Sequence, residues 1–328
     1  MANISTKYLG LELKSPVIAS SSDFTSNIEN IIELEKAGCG AIVLKSIFEE
    51  QILMEIDSLR MNNMFDSYSD NENYIAYYTK KHEVDSYLQL IKDAKKQIQI
   101  PVIASVHCST NGKWTEFLPQ IEKAGADAIE INAFILPSNP NTSADEIEKS
   151  YISIIEAVRK NTKLPIALKL HHYFTDIARI FKTFAQKVDS LVLFNRFFNP
   201  DIDIENFKIN SGGSFSLPED NYLIQRWIGI IRPLVNCNLA ASGGIYNSET
   251  AIKNLLAGAD VIQIASVLYK NGVETVTQIN EELKLWMQKK SFTQIADFKG
   301  KMSQSNIPNS NLYERAQFMK YFSDFNKE

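Results

Sequence analysis

The chain has 328 residues, 45% of them hydrophobic and 22% charged, with a formal net charge of −5. Those proportions are globular and exclude a disordered, collagen-like or coiled-coil chain, and no block of like charge is long enough to track a phosphate backbone, so nucleic acid is not an expected partner. At ~150 residues per domain the length allows two domains, but an α/β barrel fills ~250 residues as one. Cys39, Cys108 and Cys237 are widely spaced with no C-x-x-C pair, so neither a disulfide framework nor a metal site is expected. The N-terminus lacks an apolar signal core and no apolar run approaches ~18 residues, which gives the expectation of a cytoplasmic protein with no membrane contact.

In chain order, residues 4–15, with Tyr8-Leu9-Gly10-Leu11-Glu12-Leu13 alternating, predict a small hairpin. Apolar runs then predict eight strands, near 16–20, 41–45, 101–106, 128–132, 165–170, 190–195, 238–242 and 261–265. Helical patterns lie between and after them, near 27–37, 83–97, 114–124, 144–161, 176–187, 222–235, 247–257 and 273–288. Proline opens three of the runs, at Pro16, Pro101 and Pro165, where its missing N–H need not join a ladder. A helix-to-strand joint recurs as Glu35-Lys36-Ala37-Gly38-Cys39-Gly40-Ala41-Ile42, Glu122-Lys123-Ala124-Gly125-Ala126-Asp127-Ala128-Ile129 and Leu255-Leu256-Ala257-Gly258-Ala259-Asp260-Val261-Ile262. In each the glycine suits the left-handed position that ends a helix.

Eight alternating β-α units predict a closed (β/α)8 TIM barrel with parallel strands. The rival Rossmann sheet wants G-x-G-x-x-G after its first strand, and Ala19-Ser20-Ser21-Ser22-Asp23 is not that. Residues 1–328 are read as one domain: the hairpin closes the barrel floor, the core runs from about 16 to 288, and a helical tail covers 289–328. The polar stretch 46–82 after strand two is expected as a long loop over the mouth, and 196–221 after strand six as a second insertion.

A barrel carries its site at the C-terminal strand ends. Here these are Ser20/Ser21, Lys45/Ser46, His107/Cys108, Asn132, Lys169/His171, Asn195/Arg196, Ser242/Gly243/Gly244 and Ala265/Ser266. Two lysines and two asparagines ending apolar strands imply that something polar or anionic meets them. The Gly-Gly after strand seven and Ser266 after strand eight stand where barrels hold phosphate. A lysine at a strand end is a Schiff-base nucleophile, a phosphate contact, or a charge near an electron-rich ring, and spacing does not choose among these. His171 and His172 are read as loop histidines, His82 as helix surface and His107 as pore-lining. Cys108 is the one cysteine on the functional face.

The strand ends, in the order Pro16-Val17-Ile18-Ala19-Ser20-Ser21, Ala41-Ile42-Val43-Leu44-Lys45-Ser46, Glu130-Ile131-Asn132, Leu168-Lys169, Asn195, Ser242-Gly243-Gly244-Ile245 and Gln263-Ile264-Ala265-Ser266, resemble the dihydroorotate dehydrogenases, FMN-containing β/α barrels. Asn195-Arg196-Phe197-Phe198-Asn199-Pro200-Asp201-Ile202-Asp203 and Met302-Ser303-Gln304-Ser305-Asn306-Ile307-Pro308 look more like the dihydroorotate dehydrogenase-like subgroup. The resemblance implies that Ser242, Gly243, Gly244, Ala265 and Ser266 hold the FMN phosphate, and that Ala19, Ser20, Lys45, Asn132 and Lys169 surround its ring. Lys45, Asn132 and Asn195 would bind substrate, with Lys45 also polarising it. The Asn-rich substrate loop is loosely matched by Asn62-Asn63-Met64.

One departure matters. The family's loop after strand four carries a Cys or Ser that removes a proton as hydride leaves, whereas this chain reads Asn132-Ala133-Phe134-Ile135-Leu136-Pro137-Ser138-Asn139. No side chain from 133 to 136 accepts a proton; Ser138, on a folded-back loop, or Cys108 would have to substitute. The expected function is an FMN-dependent oxidoreductase moving hydride between a small polar substrate and flavin. The alternatives are an authentic dihydroorotate dehydrogenase of pyrimidine synthesis, a phosphate-binding aldolase or lyase with a Schiff-base lysine, and a flavin-holding subunit without turnover. No C-x₄-C-x₂-C pattern is present, so an iron–sulfur electron-transfer partner would be a separate chain. The resemblance also implies a homodimer.

Overall fold

The computed structural model describes residues 2–54 and 71–315, and for 71–83 the backbone alone. The Asn62-Asn63-Met64 match, the His82 side chain and the tail beyond residue 315 lie outside the described residues or side chains. Eight parallel strands close into a barrel: β3 (Val17–Ala19), β4 (Ala41–Val43), β6 (Val102–Cys108), β7 (Ala128–Ala133), β8 (Ile166–Leu170), β9 (Ser190–Leu193), β12 (Asn238–Ser242) and β13 (Val261–Ile264). The ring runs β4-β3-β13-β12-β9-β8-β7-β6 and returns to β4 through Ile42↔Val102 and Val43↔Ile103. Helices α1 (Ile28–Ala37), α2 (Asn71–Gln97), α3 (Leu118–Ala124), α4 (Ala144–Asn161), α5 (Ile177–Ala185), α6 (Asn221–Ile231), α7 (Ser248–Ala257), α8 (Ser266–Asn271) and α9 (Glu274–Lys289) follow the strands. Among the described residues, no helix is long and apolar enough to cross a membrane.

Local chemistry explains the joints. Gly38, Gly125 and Gly258 end α1, α3 and α7 with φ of 100°, 103° and 127°, values that a side chain would strain. The aspartates of the repeat then stitch neighbouring strands at the floor. Asp127 Oδ2 accepts from the Val102 N–H at 2.7 Å, and Asp260 Oδ2 accepts from the Leu239 N–H at 2.8 Å. Asp189, at the same point of another unit, accepts from the Ile166 N–H at 2.8 Å. Helix α4 starts on a capping box in which Ser143 and Glu146 bond each other's backbone N–H.

The hairpin predicted at 4–15 is present as β1 (Thr6–Tyr8) and β2 (Leu11–Leu13), and it plugs the floor. Tyr8, Leu9 and Leu13 pack inside the barrel against Ile18, Val43, Ile103, Ala128, Ala167, Val192, Ala240 and Val261. Strand side chains alternate with a period of two, so the next inward layer lies two residues further along each strand. On six of the eight strands that layer is Ser20, Ser105, Glu130, Lys169, Ser242 and Gln263, all less than 9% exposed; on the other two it is Lys45, half exposed, and the buried Phe194. An apolar floor therefore supports a polar layer immediately below the mouth.

Two insertions differ from expectation. The stretch 46–82 is not a loop throughout: Ile47–Phe48 (β5) pairs beside Val106–His107, and α2 begins at Asn71, because no Gly or Pro interrupts residues 71–97. The second insertion contains an antiparallel hairpin, β10 (Pro200–Asp203) with β11 (Lys208–Ser211), registered Ile202↔Ile209. In the tail, the described residues form short 3-10 turns at Ile295–Asp297, Gln304–Asn306 and Ser310–Leu312.

Candidate active site

A cavity of about 440 Å³ opens at the C-terminal ends of the strands. Ten of the strand-end residues singled out from the sequence line it: Ser20, Ser21, Lys169, Asn195, Arg196, Ser242, Gly243, Gly244, Ala265 and Ser266. The volume falls in the range of small-molecule and cofactor sites, ~300–1,000 Å³.

On one side the glycines form a backbone cradle. Gly243 and Gly244 have φ of 114° and 66°, and a Cβ on Gly244 would stand 2.7 Å from the Leu217 carbonyl oxygen. The second insertion is fastened to this cradle by Ser216, a residue sequence reasoning missed. Its hydroxyl accepts from the Gly244 N–H at 3.2 Å and bonds Ser266 Oγ at 3.0 Å, while its carbonyl accepts from Tyr246 Oη at 2.6 Å.

On the other side stands the polar layer. Lys169, 5% exposed, donates to Ser20 Oγ at 3.1 Å and Gln263 Oε1 at 3.3 Å, and faces Glu130 Oε1 at 3.4 Å. Gln263 Nε2 donates to Glu130 Oε2 at 2.6 Å. Glu130 and Gln263 also escaped the sequence reading, which took only strand ends. Their signal was available as parity: Glu130 lies two residues beyond inward Ala128, and Gln263 two beyond inward Val261.

The remaining predicted residues are placed differently. Ala19 is fully buried, with its side chain in the barrel–helix core. Lys45 sits half exposed at the rim, ion-paired with the cavity-lining Asp23. Asn132 does not line the cavity but accepts from Asn195 Nδ2 at 2.9 Å, so the two asparagines act as a pair. Cys108 is fully buried among core side chains, and burial followed by the negative charge of Glu49 and Glu50 pushes its thiol well above the usual range. That corrects the expectation of Cys108 as a base: it neither reaches the cavity nor ionises readily. Ser138 is exposed on the loop after β7 and is not among the residues lining the cavity.

His171 is not a solvated loop histidine. It is fully buried, accepts from the Tyr173 N–H through Nδ1 at 2.9 Å, and places Nε2 2.8 Å from Tyr151 Oη and 3.1 Å from the Ile135 carbonyl. Accepting at Nδ1 puts the proton on Nε2, and burial lowers its pKa to about 4. His171 thus ties the loop after β7 to α4. That loop sends Phe134 against Phe197, ring centroids 4.1 Å apart, and against His107 at 5.4 Å. Burial lowers the His107 pKa as well. Among the described residues no cluster of three metal-ligating side chains occurs.

A family model described as Dihydroorotate dehydrogenase matches residues 3–287. The chain is 26% identical to the catalytic subunit of dihydroorotate dehydrogenase B (NAD(+)) of Thermoplasma volcanium, over 92% of this chain and 98% of the relative. It is 25% identical to the Thermoplasma acidophilum protein of the same name, over 92% and 99%. Similarity of 24%, again over 92% and 99%, extends to a dihydroorotate dehydrogenase (fumarate) of Saccharomyces mikatae. With the barrel, the glycine cradle and the buried lysine in place, the chain belongs to the dihydroorotate dehydrogenase family, flavoprotein oxidoreductases that act on CH–CH bonds.

Proposed function

We propose that this chain, acting as one catalytic domain, binds FMN at its barrel mouth and oxidises dihydroorotate to orotate, a step of pyrimidine synthesis. The observation that carries the reading is one cavity combining the Gly243-Gly244 cradle with the buried Lys169 ammonium. The names of the relatives favour dihydroorotate over the different small polar substrate expected from the sequence.

The residues present fit the group. Backbone at Gly243 and Gly244, with Ala265 and Ser266, would take the phosphate, and Ser20, Lys169 and the Ala19 backbone would lie along the ring. When bound, FMN supplies a two-electron hydride acceptor. Lys169, buried at the cavity wall, would set a positive charge beside the bound ring and so stabilise negative charge that hydride transfer would place on it. Asn195, oriented by its bond to Asn132, presents an amide to substrate; Lys45 at the rim meets an incoming carboxylate. Dihydroorotate oxidation also releases a proton, and by this route the exposed loop must close so that Ser138 reaches the cavity.

A second reading keeps the same chemistry on another small substrate. It is favoured by the loop after β7, which offers Phe134 rather than a proton acceptor. An aldolase reading is disfavoured, because an ammonium held by three polar side chains is a poor nucleophile.

For electrons to leave, we propose a separate electron-transfer subunit, in line with relatives named as catalytic subunits of an NAD(+) enzyme. We also propose a homodimer. The β10–β11 hairpin, with Ile202, Ile204, Phe207 and Ile209 each at least 64% exposed, is apolar surface that pairing would cover. The test is anaerobic mixing of the yellow holoprotein with dihydroorotate. Rapid bleaching of the flavin band supports the first reading; an unbleached flavin that other small substrates reduce supports the second.

A further inference from the structure

We propose that Glu130 is a positioning residue: it keeps Lys169 cationic and, through Gln263, fixes the polar face that the barrel turns toward the flavin. The inference rests on the flavin reading and adds a residue that does not itself line the cavity.

Three observations carry it. First, Glu130 is 1% exposed, and a carboxylate at that depth persists only when paired and hydrogen-bonded. Second, its two oxygens are used unequally: Oε2 takes a 2.6 Å bond from Gln263, whereas Oε1 has no hydrogen bond and lies 3.4 Å from the Lys169 ammonium. The ammonium can therefore turn an N–H toward a bound ring without losing its counter-ion. Third, with Gln263 Nε2 committed to Glu130, Gln263 Oε1 must face Ser20 at 3.0 Å and Lys169 at 3.3 Å. Removing the charge on Glu130 frees that amide to turn over.

The surroundings offer no substitute counter-ion at this depth among the described residues. Tyr8 below and Tyr87 beside the barrel are buried phenols, pushed up by burial first and by the nearby Glu130 charge in addition, so both stay neutral. Asp23 and Arg196 lie at the mouth, lining the cavity.

Without Glu130, a buried lysine sheds its proton and regains it only when reduced flavin brings negative charge beside it. Flavin reduction in Glu130→Gln then takes up about one more proton than in the wild type. The experiment is the midpoint potential of bound FMN against pH in wild type, E130Q, K169M and the double variant. E130Q is expected to show a steeper pH dependence than wild type, and the double variant to match K169M. An E130Q slope equal to that of wild type overturns the inference while leaving the flavin reading intact.

A second measurement needs neither flavin nor the single E130Q variant. Infrared difference spectra of the K169M apoprotein should show the carbonyl band of a protonated carboxylic acid, abolished in K169M/E130Q and absent from the wild type. Absence of that band in K169M would contradict the pairing. A wild-type chain that takes up no FMN sinks the flavin reading alone, since the infrared result still decides the pairing.

Discussion

The barrel has a cavity at each end, about 440 Å³ at the mouth and about 420 Å³ at the floor, and a buried carboxylate meets a cavity-lining cation at each: Asp260 with Arg232 and Lys299 at the floor, Glu130 with Lys169 beneath the mouth. At the floor Asp260 is saturated: Oδ2 meets the Leu239 N–H at 2.8 Å and Arg232 Nη1 at 3.3 Å, and Oδ1 meets Lys299 Nζ at 2.5 Å. Beneath the mouth Glu130 keeps one oxygen without a hydrogen bond, and the lysine beside it lines the cavity. Size does not separate the two cavities. Incomplete satisfaction of buried polar groups does, because a closed network stabilises a fold whereas an open one awaits a ligand.

The comparison breaks if the floor proves functional or the mouth merely structural. The largest expected effect is at the floor. Asp260→Ala strands two partly buried cations and an N–H, and should lower unfolding free energy by about 3 kcal/mol in urea melts. FMN affinity of the folded fraction should not change; a loss of affinity at full stability would reverse the assignment.

Next is acid. The folded-state pKa of His171, about 4, lies below the ordinary histidine value, so the unfolded chain binds the proton first. The contribution of His171 is therefore complete above about pH 6.5 and is lost as pH falls toward 4, amounting to about 3 kcal/mol. Denaturation across that interval should show this step in wild type and not in His171→Gln, which hydrogen-bonds but does not titrate. Equal slopes would place His171 outside the core.

Gly244→Ala comes third. Its positive φ and the 2.7 Å approach to Leu217 should weaken FMN binding about 10- to 100-fold in equilibrium titration, with a smaller loss of stability. The smallest effect is at Asn195→Ala, which frees Asn132 and should raise KM about fivefold with kcat changed less, consistent with one lost hydrogen bond of ~1 kcal/mol.

Much of the frame was legible in the sequence because local rules agreed with the global fold. The three Gly-containing joints and the strand-opening prolines each mark an element boundary by its own chemistry. The helical pattern near 144–161 corresponds to α4 at Ala144–Asn161. Where two local readings competed, the pattern fell short. Polar composition at 71–82 looked like loop, yet the absence of Gly and Pro let α2 run back to Asn71. The alternation Asp201-Ile202-Asp203-Ile204 was a strand signal overlooked inside an insertion.

The site divides along the same line. Residues at strand ends, such as Gly243 and Lys169, could be read from position alone. Glu130 and Gln263 lie one layer deeper and become visible only once strand parity is anchored by the apolar floor, which requires knowing which side chains point inward. Ser216 was beyond reach of pattern, since its contact with Ser266 spans 50 residues and depends on how the insertion folds back.

The most direct test of the account is titration of FMN into the apoprotein, followed by quenching of flavin fluorescence. A mouth cavity built as described should saturate at one FMN per chain. Fluorescence that stays unquenched and linear in added FMN would contradict the assignment of this cavity to flavin.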